Sequence, residues 1–395
     1  MEGLAIVLDA DLKSSLATIR SLGKDGITVV TGATRKSAMG LHSNQVQETF
    51  VYPDPKSDKM AFLMTIKNEA DKLKRKMKMT PVLYCFSDST HVSVFESIGT
   101  FGDLILFPKP RPESFAIAFD KTKTAVLAER NGISTIRTHD ISDTASLNYP
   151  VVIKPNKSVS WKGRSGVSDT AQFIFSSEKL ESVYKELESS FGSSPIIQTS
   201  IVGEEYGVEL MCDNGRVLTH FMHRRIRSLS PTGGAAVVKQ TAPIFSVTED
   251  MRDQSIKLAE ALQWTGPMMV EWKLEKKLDK LYLMEINGRF WGSLPLAVKA
   301  GINFPKIYYR LAQGENISDV GNVTPLDVRT RHFWGDVKWL FKVLFDVTPL
   351  RTIYYPKRTK ALYFFFFEFF RSKGDVYAQD DSWPSVMEIV DIFKR

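Results

Sequence analysis

Cysteine is almost absent from this 395-residue chain: the only two, Cys85 and Cys212, each lie inside an apolar, strand-like run. A disulfide framework is thereby excluded as an organising device, and both side chains read as buried, reduced thiols. Long hydrophobic runs are missing too, none reaching the roughly 18 uninterrupted apolar residues that a membrane helix needs. Met1-Glu2-Gly3 leads into neither a basic segment nor an apolar signal core, so the expectation is a soluble, cytoplasmic chain. Asp9-Ala10-Asp11 follows the first apolar run where a dinucleotide site would carry its glycine fingerprint, which argues against bound NAD. The formal charge of +7 favours anionic ligands without naming one. No recognised nucleic-acid module accompanies that charge, so nucleic acid is not an expected partner.

What is present suits a globular protein of two or three domains, with 43% hydrophobic residues to build cores. Residues 4–8, 27–31, 81–86 and 104–107 read as strands, and 12–22, 58–78 and 91–98 as helices, an alternation that predicts an open α/β layer. The loops after these strands, with Asp9 and Ser87-Asp88-Ser89, are candidates for substrate contact or for plain strand-end capping. Phe107 to Pro112 carries three prolines at alternate positions and marks a linker. Asp120 then reads as the N-cap of a helix to about Arg130, closed by Gly132. Pro150 to Pro155 is a strand ending in Lys154, and Asn156 to Val167 is a basic loop whose backbone N–H groups and cations suit a phosphate flap or a mobile surface loop. A helix follows at 177–190 and a strand at 195–201. Asp213-Asn214-Gly215 signals a hairpin whose second strand ends in His223-Arg224-Arg225-Ile226-Arg227. Arg225 and Arg227 suit bidentate contact with a carboxylate or phosphate, and His223 reads as packed rather than as a general base.

The stretch that organises the rest runs from Gly266 to Asn303. Two apolar-rich runs, Met268–Leu274 and Lys280–Ile286, flank a charged connection and predict an antiparallel hairpin. With the turn centred on Leu278, Glu271 faces Glu285, and Asn287 and Arg289 follow on the same side. Opposed carboxylates repel unless a cation lies between them, and Mg²⁺ favours such an oxygen set together with phosphates. By composition alone the same stretch also reads as a solvated surface hairpin. Beyond it, Gly292 and Ser293 open a helix whose backbone donors would face a substrate.

Met284-Glu285-Ile286-Asn287-Gly288-Arg289, with Glu271 on the partner strand, resembles the metal and catalytic hairpin of the ATP-grasp superfamily. The resemblance covers about residues 4–305. It implies an N-terminal open α/β domain (1–110), a small nucleotide-binding subdomain with a phosphate flap (111–200) and a catalytic subdomain carrying the hairpin (201–320), followed here by a basic aromatic extension (321–395). It further implies ATP and Mg²⁺, with Mn²⁺ as an alternative: Glu271, Glu285 and Asn287 as metal ligands and Arg289 assisting phosphoryl transfer. Arg225 and Arg227, by their own chemistry, suit the acyl substrate or its phosphate, or else a solvated basic strand. Lys121, Lys154, Gly163, Gly166, Gln198, Thr199, Ile201 and Glu205 would hold the nucleotide, Glu205 at the ribose. Thr199 stands where the family usually carries an acidic residue, and the flap has fewer glycines than usual.

The implied reaction activates a small-molecule carboxylate as an acyl phosphate and joins it to an amine. A carboxylating enzyme of the biotin carboxylase kind and a nucleotide-binding sensor without turnover are the alternatives. The tail segment 349–373, with six Arg or Lys against one glutamate and an aromatic run, suits a membrane surface, a partner protein or packing on the body. The oligomeric state stays open, a homodimer included.

Overall fold

The computed structural model describes residues 3–394 apart from 163–164, 169–170, 231–232, 318–325 and 346–354. β1 (Leu4–Val7), β2 (Thr28–Ala33), β3 (Glu48–Val51) and β4 (Val82–Tyr84) form a parallel sheet in the order β3-β2-β1-β4, flanked by α1 (Lys13–Lys24), α2 (Lys59–Met77) and α3 (Asp88–Glu96). The open α/β layer expected from the alternation is thus present. Its fourth strand is β3, whereas 104–107 contributes only the single bridge Val82↔Leu106. β3 lies at the edge with no residue fully buried, so its apolar signal is weak.

The proline run ends as the first turn of α4 (Pro112–Ala118), and α5 (Lys121–Arg130) starts where Asp120 Oδ1 accepts the Lys123 N–H at 3.0 Å. A second sheet takes the order β5-β10-β6-β9 from β5 (Thr138–His139), β6 (Val151–Lys154), β9 (Gln172–Ile174) and β10 (Ile196–Thr199). Between β6 and β9 stands a small hairpin of β7 (Ser160–Lys162) and β8 (Ser165–Val167). α6 (Ser177–Phe191) covers the sheet, capped by Ser176 and ended by Gly192 at φ 66°.

The largest sheet has the order β15-β14-β11-β12-β13-β16-β17. Its strands are β11 (Glu204–Asp213), β12 (Arg216–Ser230), β13 (Gly233–Thr241), β14 (Gly266–Glu275), β15 (Lys280–Asn287), β16 (Arg329–Arg331) and β17 (Lys373–Gly374). β11 and β12 join through Asn214 and Gly215, both at positive φ. α7 (Ser246–Ala261) packs on one face, while α8 (Leu294–Lys299) and α9 (Phe304–Ala312) follow β15. One core fuses these last helices with the N-terminal layer: Phe290 stacks on Tyr84 and Phe86, with ring centroids 5.9 and 5.3 Å apart. Burying such a ring contributes about 1.5–3 kcal/mol, so the end of the β14–β15 hairpin is fastened to the first sheet. The tail does more than extend the chain, because β16 and β17 continue the large sheet. Beyond them Arg20 of α1 binds Asp381 and the Val376 carbonyl at 2.8 and 2.7 Å. α10 (Phe333–Phe345) lies on β12 and β13, α11 (Arg358–Arg371) packs on α10, and α12 (Trp383–Lys394) closes the described chain. Cys85 and Cys212 are buried and not disulfide-bonded, as expected.

Candidate active site

Glu271 does face Glu285, and a bulge is what puts it there. On the turn side the ladder pairs Trp272 with Leu283 and Lys273 with Tyr282; continued unbroken, that register would set Glu271 against Met284 and send Glu285 to the other face. Met284 is the extra residue. Past it the ladder resumes as Glu271↔Glu285, Val270↔Ile286 and Met269↔Asn287. The Asn287 amide completes the cluster, its Nδ2 3.3 Å from Oε1 of each glutamate.

Cations ring the pair. Lys121 Nζ, from the first turn of α5, is 3.7 Å from Glu285 Oε2 and 3.4 Å from Ser158 Oγ. Lys154 is buried at the end of β6, where desolvation lowers its pKa to about 8 against the upward pull of Glu285 and Glu271. Arg225 on β12 reaches Glu271 at 3.6 Å. Burial raises the pKa of Glu271 above the ordinary carboxylate range, Arg225 opposes this, and Glu285 and Glu205 add to it. Burial acts the same way on Glu285, but Lys121, Lys154 and the Asn287 amide outweigh it and hold that carboxyl below its usual range. Two adjacent carboxylates thus have opposite proton affinities, because the lysines stand on one side only.

Arg289 comes off the same strand end, and its guanidinium is clamped bidentately by Asp88 of α3 at 2.7 and 2.9 Å. The N-terminal layer thereby orients this arginine beside the carboxylates; burial lowers its pKa, but Asp88, and after it Glu285 and Glu271, outweigh burial and raise it. Glu205 sits in a cross-strand row between Arg225 (2.7 Å) and Lys273 (3.1 Å). Gln198 is buried and pairs with Val152, and Thr199 Oγ1 meets His139 Nε2 at 2.8 Å, so β10 lies directly beside the lysine-bearing strand; Ile201, half-buried, follows it. Gly166, in the β7–β8 hairpin, donates its N–H to the Lys56 carbonyl at 2.6 Å, and a Cβ there would crowd the Lys56 Cα at 3.0 Å. Gly163 lies outside the described residues.

Two expected contacts lie elsewhere. The β12–β13 register slips at Ile226, so Arg227 turns from the side of Arg225 and pairs with Asp336 at 2.8 Å and Glu368 at 3.7 Å beneath α10 and α11. Asp9 acts as a cap, its carboxylate accepting from the N–H groups of Phe86 and Ser87 and from the Thr90 hydroxyl. Sequence reasoning also missed a buried cluster: Glu209 Oε1 accepts from Ser293 Oγ at 2.5 Å and meets His223 Nδ1 at 2.9 Å. Gly207 leaves the room for it, since a Cβ there would stand 2.3 Å from His223 Cε1. The available signal was a glutamate inside the apolar run Val208–Cys212. Gly292 lies beside this cluster, its Cβ position 4.0 Å from Lys13.

Among the described residues no group of three or more His, Cys, Asp and Glu side chains gathers as a metal site. The donor set is therefore two carboxylates and an amide, all able to present oxygen and facing lysines, which fits a hard divalent cation shared with phosphates better than a closed structural metal.

Residues 193–332 match the family described as ATP-grasp in the biosynthetic pathway with Ter operon. The carbamoyl phosphate synthase large chains of Myxococcus xanthus and Vibrio vulnificus are 26% identical over 230 residues and 24% identical over 229 residues. These alignments take in 53% and 57% of this chain but only about a fifth (20%) of each relative. Among solved structures, the biotin carboxylase domain of Hydrogenobacter thermophilus 2-oxoglutarate carboxylase, solved with MgADP and bicarbonate, superposes with a TM-score of 0.62. It is 16% identical, over 83% of this chain and 74% of that one. The L-amino acid ligase of Bacillus licheniformis gives 0.61 at 16% identity, over 84% and 79%. N5-carboxyaminoimidazole synthetase of Staphylococcus aureus gives 0.60 at 13%, over 88% and 87%. The chain has the ATP-grasp fold.

Proposed function

We propose that the protein is an ATP-dependent ligase that activates a small-molecule carboxylate as an acyl phosphate and transfers the acyl group to an amine, releasing ADP and phosphate. The observation that carries this reading is the convergence of Lys121, Lys154 and Arg289 on the cluster of Glu271, Glu285 and Asn287, from three separate parts of the chain. Glu271, Glu285 and Asn287 would hold Mg²⁺, or Mn²⁺, which when bound neutralises phosphate oxygens and draws charge from the transferring group. Lys121 and Lys154 would bind the phosphates, Gly166 of the β7–β8 hairpin would help to hold the nucleotide, and the β10 segment Gln198–Ile201 would lie beside the base. Arg289, immobilised by Asp88, would stabilise charge at the terminal phosphoryl, and Arg225 would orient the acyl group. Catalysis of this kind is positioning and electrostatic stabilisation and requires no nucleophilic side chain.

The superposition with an amino acid ligase and with a carboxyaminoimidazole synthetase supports a carboxylate-activating fold and leaves the acceptor open. The test is phosphate release from ATP and Mg²⁺ across a panel of carboxylates with and without amines, with mass spectrometry of the products. Release that depends on both partners supports the ligase. Release with bicarbonate alone would favour a carboxylating enzyme, and tight ATP binding without acceptor-dependent release would favour a sensor.

A further inference from the structure

The outer surface of α10 and α11 inverts the usual arrangement of an amphipathic helix. In α11 the stripe Ala361, Phe365 and Glu368 is buried against the body, and the remaining faces, which ordinarily carry polar side chains, are aromatic. Tyr363, Phe366, Phe369 and Phe370 are 60%, 60%, 54% and 88% exposed, and Phe341 and Phe345 of α10 are 58% and 69% exposed. So many exposed rings on two helices packed together mark a surface that something covers.

The charges indicate what. Asp336 and Glu368 are the only acids in the two helices, and both are buried, Asp336 on Arg227 and Arg331, and Glu368 on Arg329. The exposed charges that remain, Lys338, Lys342, Arg358, Lys360 and Arg371, are all positive. A second copy docked face to face would set this basic rim against itself. An anionic bilayer surface instead offers its headgroups to the cations and its acyl boundary to the rings. α11, at 14 residues, is too short to cross a bilayer, and among the described residues no helix is long and apolar enough to do so. We propose that the protein docks peripherally on anionic membranes through the outer face of α10 and α11, with the rings at the headgroup boundary and α11 in the membrane plane.

Co-sedimentation of the full chain with phosphatidylcholine vesicles, with and without phosphatidylglycerol, tests this. The chain should pellet with the anionic vesicles and remain in the supernatant with the neutral ones. Arg358→Glu/Lys360→Glu should weaken binding by about tenfold or more, and Phe366→Ser/Phe370→Ser by a similar factor. Because all four side chains are exposed, both double variants should keep the parent melting temperature. No pelleting, equal pelleting with both vesicle types, or undiminished pelleting of either variant overturns the proposal. A chain that stays in the supernatant as a dimer, and that Phe366→Ser/Phe370→Ser converts to monomer, identifies a second copy as the occupant instead.

Discussion

Glu271 and Glu285 face each other across a β-ladder with their cations held off at 3.6 and 3.7 Å, whereas elsewhere on the same sheet Asp375 sits in direct contact with Lys239 and is 3.1 Å from Lys13. Both places gather acids and bases in the interior. In the second, Lys239 and Asp375 are fully buried, opposite charges are closed into short pairs, and the tail is stitched to α1 and β13. In the first, like charges are adjacent, the side chains stay partly exposed, and the two carboxyl pKa values are shifted in opposite directions. A closed pair satisfies itself; an open one leaves field for a ligand. The difference separates a structural ion cluster from a candidate site, although both consist of the same residue types.

The largest expected effect breaks the closed cluster. Asp375→Ala leaves Lys239 buried without its counter-ion and should cost about 3–5 kcal/mol in denaturant unfolding, whereas the isosteric pair Lys239→Met/Asp375→Leu should recover most of that loss. A single variant as stable as the parent would erase the distinction drawn above. Glu285→Gln makes the opposite change: the fold should hold, within about 1 kcal/mol, while acceptor-dependent phosphate release falls by at least about 100-fold. Unchanged turnover would remove the metal assignment. Arg289→Lys keeps the charge but loses the bidentate clamp on Asp88, and a drop of about tenfold in kcat with little change in nucleotide affinity is expected from steady-state kinetics.

The smallest effect sharpens the candidate site itself. Lys154 is held to about 8 by burial, below the usual lysine range, so its protonated form weakens the fold at pH below about 8 and that penalty fades as the pH rises towards the unfolded value. A bound polyphosphate reverses the balance by favouring the charged lysine. ATP affinity, measured by titration calorimetry, should therefore be fully present below about pH 8 and decline above it by up to about tenfold per pH unit. Lys154→Met should flatten the decline, and an unaltered pH profile would exclude this lysine from the phosphates.

Much of this was legible in the chain. Short-range signals hold well: Asp120 caps α5, Asn214-Gly215 turns β11 into β12, and α2 runs within a residue of its expected limits. A glutamate inside the apolar strand Leu281–Ile286 marked the site. What could not be read depended on register and on distant neighbours. The bulge at Met284 brings Glu285 to face Glu271, and the slip at Ile226 carries Arg227 away from Arg225, yet neither leaves a composition signal. Arg289 and Asp88 are 201 positions apart, so no local pattern could pair them. Nor could one gather Glu209, His223 and Ser293 from two strands and a helix start.

By itself the sequence determined most of the strands and helices up to the β14–β15 hairpin, where several of them turn, and which residue types would stand at the end of that hairpin, because propensity, capping and hydrophobic period act over a few residues; the weakly apolar edge strand β3 and the β7–β8 hairpin were set by tertiary pairing. Which of those charges meet, and which are neutralised by a distant partner, was decided only when the sheets and the tail packed together. Electrostatic interactions act through space and depend on burial, so Arg225 and Arg227, two positions apart in the chain, serve different ends.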